Sequence, residues 1–238
     1  MKIAMWSGPR NLSTAMMYAF ASRSDCAVVD EPFYASYLYA TGLNHPMRAE
    51  ILASQPNDPG QVVRQIKGSN PAQKPHFYQK HMTHHMVPEI PRDWMRGVQN
   101  IFLIRHPARV VASFAKKHPD VRPADLGFDQ QVELFQYTQL LGQTPLVVDS
   151  HDIREDPEGT LSALCVALGL DWDPAMLSWA KGGHPDDGVW ASHWYDAVHN
   201  STGFGGAEGD LPALPDALQE IADAVMPAYQ KMAAHKLS

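Results

Sequence analysis

The first twenty residues constrain the fold of this 238-residue chain more strongly than any later segment. Ile3–Trp6 is an apolar run typical of a buried strand, Ser7–Pro9 interrupts it, and Asn11–Phe20 has the apolar spacing of a helix. A strand that turns directly into a helix points free backbone N–H groups and the positive end of the helix dipole at one place. The segment therefore predicts a binding site for an anion such as phosphate or sulfate.

The side chains of this loop support the same prediction. Arg10 adds a permanent positive charge, and Ser13 and Thr14 add hydroxyl donors on the first turn of the predicted helix. The loop is not a Walker A loop, because Leu12, Ser13 and Thr14 stand where that motif has Gly, Lys and a hydroxyl residue. The alternative is a capped helix start with Arg10 in a salt bridge, and this segment alone favours neither interpretation.

A second strand–turn–helix segment lies in the middle of the chain. Ile101–Ile104 is typical of a central parallel strand, Arg105 follows it, and Pro107 suits the first turn of a helix. Ser113 lies two turns into that helix. Arg105 capping the sheet edge and Ser113 bonded to its own helix are the structural alternative. The residues of this segment alone leave both interpretations open.

A candidate functional carboxylate follows the second predicted strand, Cys26–Val29. Glu31 lies just beyond the carboxyl end of this strand, where open α/β sheets bind their ligands. The alternative role for Glu31 is that of a carboxylate at a helix start, which the helix dipole favours.

The third predicted strand is His76–Gln79, and four histidines fall within ten residues in and after it: His76, His81, His84 and His85. The spacing of His81 and His85 suits a pair of metal ligands on a helix. No H-E-x-x-H motif and no closely spaced Cys, Asp or Glu completes a site, so we predict no metal. Lys80 lies in the same segment, which we interpret either as a basic strand end that faces an anion or as a solvated loop.

The remaining pattern predicts the fold class and the domain organisation. Strands such as Pro145–Asp149 alternate with helices such as Asp156–Gly169, which indicates a three-layer α/β fold with a mainly parallel sheet in a single domain, 1–238. Residues 181–206 lack periodicity and are predicted to form a lid-like loop or an ordered surface loop. Residues 213–235 are predicted to form an amphipathic terminal helix.

Composition restricts the partners and the compartment. The formal charge of −7 argues against nucleic acid or an anionic membrane as the main partner. The two cysteines are too few for a disulfide framework and are typical of a reducing compartment. The sequence contains no apolar run of about 18 residues or more, so we expect no membrane span. Because the candidate anion-binding loop already begins at Ser7, we also expect no cleaved targeting segment. We therefore predict a cytoplasmic protein.

Two motifs resemble those of the sulfotransferase family. P-R-N-L-S-T at 9–14 resembles the family loop P-[KR]-x-G-[ST]-[ST], with Leu12 in place of Gly. The segment from Arg105 to Ser113 resembles the one in which an Arg and a Ser at this spacing bind the 3′-phosphate of the nucleotide. The resemblance implies a P-loop NTPase-like fold and transfer of a sulfuryl group from 3′-phosphoadenosine-5′-phosphosulfate to a hydroxyl or amine of a small-molecule acceptor, with no metal.

The resemblance also implies roles for individual residues. The implied nucleotide-binding residues are Arg10, Asn11, Leu12, Ser13, Thr14, Arg105, Ser113 and Ser201. Arg10, helped by Lys80, would stabilise the leaving phosphate. Glu31 is the first candidate for the base that takes the acceptor's proton, and His85 is the second, with His84 also open.

Two other functions are considered beside sulfuryl transfer. One is a nucleotide-binding protein of the same fold without catalysis. The other is a kinase-like phosphoryl transferase, which needs a magnesium site and a lysine on the outer phosphates. The sequence leaves the acceptor and the oligomeric state open.

Overall fold

The computed structural model describes residues 1–70 and 72–237, and it is built around one parallel sheet. The five strands are Lys2–Ser7 (β1), Cys26–Asp30 (β2), His76–Met82 (β3), Gln99–Ile104 (β4) and Leu146–Asp149 (β5). They are arranged in the order β2-β3-β1-β4-β5, and all neighbours pair in parallel. The predicted α/β class with a mainly parallel sheet is confirmed.

Helices connect and flank the strands. The α-helices are Ser13–Ala21 (α1), Tyr34–Thr41 (α2), Arg48–Ser54 (α3), Pro59–Lys67 (α4), Pro107–Ala115 (α5), Phe128–Leu140 (α6), Ser150–Glu155 (α7), Pro157–Leu168 (α8), Ala191–Trp194 (α9), Asp196–His199 (α10) and Asp216–Ala233 (α11). Short 3-10 helices span Thr83–His85, Asp93–Gly97, Pro123–Leu126 and Pro174–Leu177. In the part of the chain described here, no helix is both long and apolar enough to cross a bilayer.

The sheet is buried on both faces, which explains the continuous apolar runs in β1 and β4. Alternate residues of β1 point to opposite faces. Ile3 and Met5 pack into a core under α1 and α8, whereas Ala4 and Trp6 pack into a second core with α6 and α11. The two cores give the protein the predicted three layers.

The sheet order places a crevice beside β1. β1 is the central strand, with β2 and β3 on one side and β4 and β5 on the other. The connections that leave β1 and β4 therefore diverge at the carboxyl edge of the sheet, where ligands of open α/β folds bind.

The segment 181–206 packs against the fold through its aromatic side chains. Trp190 and Tyr195 are buried in a cluster with residues of α2, including Tyr34 and Leu38. This arrangement matches the ordered-loop alternative rather than a separate lid. The terminal helix α11 is shorter than the predicted range 213–235 by three residues at its start and two at its end, and it continues through Pro227.

Candidate functional site

A cleft of about 800 Å³ opens at the carboxyl edge of β1, β3 and β4. All the side chains predicted from the sequence to form the site line this cleft: Arg10, Asn11, Leu12, Ser13, Thr14, Glu31, Lys80, His84, His85, Arg105, Ser113 and Ser201. The topology therefore brings segments that are far apart in the sequence into one site.

The loop between β1 and α1 has an unusual backbone. Arg10 and Leu12 both have left-handed φ angles, of 64° and 70°, with Asn11 between them. Leu12 precedes the first turn of α1, and no side chain caps this helix end. Turns of this kind direct successive N–H groups into a concavity that suits an anion. The left-handed angle at Leu12 also gives a physical reason why the resembled motif has glycine there.

Close packing fixes this loop in place. Gly8 touches the segment before α6 so closely that a Cβ atom would collide with the carbonyl oxygen of Leu126. Asn11 Nδ2 donates to the carbonyl oxygen of Leu103 at 3.2 Å, and the Asn11 carbonyl accepts from Ser150 Oγ at 2.8 Å. Asn11 Oδ1 is buried without a hydrogen-bond partner among the described residues. Asn11 therefore ties the loop to the ends of β4 and β5.

Two arginines and a hydroxyl converge above this loop. Arg10 Nε donates to Ser113 Oγ at 2.8 Å, and an Arg105 guanidinium N–H donates to the Arg10 carbonyl at 2.7 Å. Burial, with the neighbouring charge of Arg105, lowers the pKa of Arg10. Because two like charges are held close together, an anion between them would relieve their repulsion. The two predicted phosphate-binding segments thus form one cationic cluster.

A further arginine and a carboxylate belong to this cluster and were not predicted. Arg109 lies one turn after Arg105 on α5, and Glu208 comes from the loop before α11. The Glu208 carboxylate bonds to Arg105 and lies 3.1 Å from Arg109 Nε. The i, i+4 spacing of the two arginines is a sequence signal for Arg109. The Gly-rich surroundings of Glu208 carry no comparable signal.

Glu31 occupies a strained position at the end of β2. Its φ angle of 40° lies in the region that residues other than glycine rarely adopt. Its N–H extends the ladder by donating to the Lys80 carbonyl at 2.9 Å. Strain of this kind persists only where the surroundings hold it, and it is frequent at functional sites.

Lys80 lies inside β3 rather than after it, and its ammonium is fully bonded. Nζ donates to Asp30 Oδ1 at 2.8 Å, to Glu31 Oε1 at 2.5 Å and to Tyr195 Oη at 2.7 Å. Although burial acts to lower it, the pKa of Lys80 is raised because Asp30 and Glu31 stabilise the charged form. An ammonium has three protons, so none is left for a phosphate. The predicted role of Lys80 on the leaving phosphate does not fit this geometry.

The Glu31 carboxylate has one oxygen fixed and one turned toward the histidines. Oε1 accepts from Lys80, whereas Oε2 lies 3.9 Å from His85 Nε2. Burial and the neighbouring Asp30 raise the pKa of Glu31, and Lys80 opposes this change. A carboxylate that burial makes more basic, at the wall of a cleft, is suited to accept a proton.

Two of the predicted histidines, His84 and His85, line the cleft. Burial lowers the pKa of His84 to about 3 and that of His85 well below its usual value. His85 stacks with Tyr34 and Tyr37, with ring centroids 4.5 and 4.8 Å apart. His81 instead stacks on Trp6 inside the core. Among residues 1–70 and 72–237, no three His, Cys, Asp or Glu side chains are grouped as a metal site.

Tyr195 and Trp190 belong to the charged cluster. Tyr195 Oη accepts from Lys80 and from Trp190 Nε1 at 3.0 Å, and it donates to Asp30 Oδ2 at 2.7 Å. Tyr195 and Trp190, which belong to the segment 181–206, therefore hold Lys80 and Asp30 in place through their polar groups. Trp194 lines the cleft itself.

Ser201 lies at the wall of the cleft, but its hydroxyl already has partners. Oγ donates to the Val198 carbonyl at 2.8 Å and accepts from Trp179 Nε1 at 3.2 Å. Binding of a nucleotide by Ser201 remains a prediction, and we leave Ser201 out of the phosphate-binding set below.

Comparison with known proteins identifies relatives over nearly the whole chain. The family model described as "Sulfotransferase domain" matches residues 1–236. Two Arabidopsis thaliana proteins, the branched-chain-amino-acid aminotransferase-like proteins 1 and 2, are 36% and 34% identical to this chain over 235 and 233 residues. Each match covers 98% of this chain but only 42% and 41% of those proteins, so the chain spans less than half of their length.

Solved structures of sulfotransferase domains share the fold. The sulfotransferase domain from the curacin biosynthetic pathway aligns with a TM-score of 0.56 at 18% identity, covering 94% of this chain and 96% of that domain. The sulfotransferase domain from the Synechococcus PCC 7002 olefin synthase aligns with a TM-score of 0.53 at 20% identity, covering 97% of this chain and 94% of that domain. The predicted sulfotransferase fold is confirmed by this likeness.

Proposed function

The chain belongs to the sulfotransferase domain family, and we propose that it transfers a sulfuryl group from 3′-phosphoadenosine-5′-phosphosulfate to a hydroxyl or amine of a small-molecule acceptor. The observation that supports this most directly is the cationic cluster of Arg10, Arg105 and Ser113 beside the start of α1. Such a cluster suits a nucleotide that carries phosphate at both its 5′ and 3′ positions.

The residues present fit this nucleotide. A carboxylate, that of Glu208, already lies against Arg105 and Arg109, so the position accepts an anionic group. We assign the 3′-phosphate to Arg105 and Ser113. We assign the 5′-phosphate side to the loop of Arg10 and to the first turn of α1, which contains Ser13 and Thr14 and has free N–H groups.

The reaction asks two things of the protein. When bound, the co-substrate supplies a sulfuryl group whose bond to the 5′-phosphate oxygen breaks while a bond to the acceptor atom forms. Arg10 and the N–H groups at the start of α1 would stabilise the negative charge that develops on the phosphate oxygen. A base must take the proton of the acceptor.

Glu31 is the base that the geometry favours. Burial raises the pKa of Glu31, which strengthens it as a base, whereas burial makes His85 a weak base with a pKa well below its usual value. Lys80 holds Glu31 Oε1 and leaves Oε2 available. We therefore assign to Lys80 a positioning role, in place of the role on the leaving phosphate that the sequence predicted.

Thermal unfolding with three nucleotides tests the proposal. 3′-Phosphoadenosine-5′-phosphate at 100 times its dissociation constant should stabilise the fold by about 2.7 kcal/mol. ATP and GTP at the same concentration should stabilise it less, because neither carries a 3′-phosphate. Stronger stabilisation by ATP would contradict the proposal in favour of a phosphoryl transferase. If the chain binds 3′-phosphoadenosine-5′-phosphate selectively but turns over 3′-phosphoadenosine-5′-phosphosulfate with none of a panel of acceptors, a non-catalytic nucleotide-binding protein would be favoured.

A further inference from the structure

The loop before α11 inserts one acidic side chain into the cationic cluster. Residues 205–207 and 209–210 are exposed, whereas the side chain of Glu208 is only 4% exposed. Glu208 thus places a buried carboxylate in an otherwise exposed stretch of the loop. A carboxylate is buried at little cost only when cations accompany it.

Arginines hold this loop through polar contacts. The Glu208 carboxylate bonds to Arg105 and lies 3.1 Å from Arg109 Nε. Arg109 also donates to the main-chain carbonyls of Glu208, at 3.2 Å, and of Gly209. Arg154 Nε donates to the Gly206 carbonyl at 2.8 Å. Because these contacts are ionic and polar, an anion that competes for the arginines can release the loop.

The carboxylate has the chemistry of the group it would compete with. A guanidinium binds a carboxylate and a phosphate with the same planar, two-pronged geometry. Glu208 bridges two guanidinium groups, as a terminal phosphate with three oxygens would. A phosphate and a carboxylate cannot share this position, since both are anions that need the same guanidinium donors.

The backbone around Glu208 is suited to movement. Gly205 and Gly209 have left-handed φ angles of 72° and 66°. They stand on either side of the segment 206–208, and glycine adopts both left-handed and right-handed angles without strain. The two glycines are therefore positions at which the backbone of this segment can change direction.

We propose that Glu208 is a displaceable substitute for the 3′-phosphate of the nucleotide, and that Arg109 is a third ligand of this phosphate once the carboxylate has left. The inference rests on the proposed function, because it takes the 3′-phosphate to be the natural occupant. It implies that Glu208 opposes binding only of nucleotides that carry a 3′-phosphate. A nucleotide without this group does not have to displace the loop.

Calorimetric titration of Glu208→Gln with two nucleotides tests this. The variant should bind 3′-phosphoadenosine-5′-phosphate about tenfold more tightly than the unmodified chain, because the competing charge is gone. Its affinity for adenosine-5′-monophosphate should stay within about twofold. Asp210→Asn is the matched control, since it removes the same charge from an exposed position of the same loop and should change neither affinity.

Arg109→Gln tests the second half of the proposal. In the Glu208→Gln background it should weaken binding of 3′-phosphoadenosine-5′-phosphate by about tenfold. In the unmodified chain, Arg109→Gln should weaken binding of this nucleotide less, because the loss of Arg109 also makes the competing Glu208 carboxylate easier to displace.

The outcomes separate this inference from the proposed function. If the unmodified chain prefers the 3′-phosphorylated nucleotide but Glu208→Gln binds it equally or more weakly, the displacement is wrong and the proposed function stands. If neither the unmodified chain nor Glu208→Gln prefers the 3′-phosphorylated nucleotide to adenosine-5′-monophosphate, the proposed function fails and the inference fails with it. If Glu208→Gln does not fold, Glu208→Asp takes its place, because its shorter side chain reaches the arginines less well. Glu208→Asp should also bind 3′-phosphoadenosine-5′-phosphate more tightly than the unmodified chain, but by a smaller factor. Unchanged or weaker binding by that variant would refute the displacement.

Discussion

Replacing Lys80 with Met should strongly destabilise the protein. Lys80 Nζ is the cation between two buried carboxylates, at 2.8 Å from Asp30 and 2.5 Å from Glu31, and the three side chains are 1%, 1% and 9% exposed. Met fills a similar volume without a charge. Removing one partner of a buried ion pair costs about 3–5 kcal/mol. We expect the free energy of unfolding to fall by that amount at pH 7.5.

The loss of stability in Lys80→Met should be larger at high pH than at low pH. Lys80 acts to lower the pKa of Glu31 against burial and Asp30, so this pKa, already raised, should rise further in the variant. A group whose pKa is higher in the folded protein contributes stability that is complete below its unfolded pKa and is lost as the pH rises through the folded pKa. The free energy of unfolding of Lys80→Met should therefore rise as the pH falls from 7.5 toward 5.5, by up to about 1.4 kcal/mol per pH unit for one proton.

Urea unfolding followed by tryptophan fluorescence at pH 7.5 and 5.5 measures both effects. Lys67→Met, at an exposed position in the last turn of α4, is the matched control and should change stability by less than about 0.5 kcal/mol. Adding Glu31→Gln to Lys80→Met should restore about 1–3 kcal/mol, because it removes one of the unpaired charges. A loss below about 1 kcal/mol, or an equal loss at both pH values, would refute the assignment of Lys80 as the buried counter-ion.

Three further predictions concern the cleft. Glu31→Gln should slow release of 3′-phosphoadenosine-5′-phosphate from the co-substrate by about 10²–10⁴-fold with nucleotide affinity nearly unchanged; normal turnover there, with loss of turnover in His85→Asn, would reverse the two roles. Leu12→Gly should keep nucleotide binding and change the free energy of unfolding by less than about 1 kcal/mol, because relief of the left-handed angle offsets the lost side-chain packing and the extra entropy of glycine; a loss of several kcal/mol in a urea titration would contradict this. A chelator should leave nucleotide affinity unchanged, whereas binding that EDTA abolishes and magnesium restores would count against the sulfotransferase interpretation.

The two strand–turn–helix segments could be predicted because their signals are local. The apolar runs of β1 and β4 and the breaks after them identify the strand ends, and the parallel sheet then places Arg10, Arg105 and Ser113 at one edge. Neither observation needs knowledge of distant contacts.

The end of β3 could not be predicted, since its polar residues depend on distant partners. The predicted third strand ends at Gln79, whereas β3 continues to Met82, and Lys80 inside it is buried and bonded to Asp30 and Tyr195. A run of polar residues predicts a loop unless such partners are known. For the same reason, the contact of Glu208 with two arginines 99 and 103 residues away could not be predicted.

The central claim is that Arg105 binds the 3′-phosphate of a nucleotide. Calorimetric titration of the unmodified chain and of Arg105→Ala with 3′-phosphoadenosine-5′-phosphate and adenosine-5′-monophosphate tests it most directly. A hydrogen bond to a charged group contributes about 1.5–3 kcal/mol. Arg105→Ala should therefore weaken binding of the 3′-phosphorylated nucleotide by about 10- to 150-fold and binding of the monophosphate by no more than about a few-fold. Equal losses for the two nucleotides would mean that Arg105 only supports the Arg10 loop, and would contradict the account.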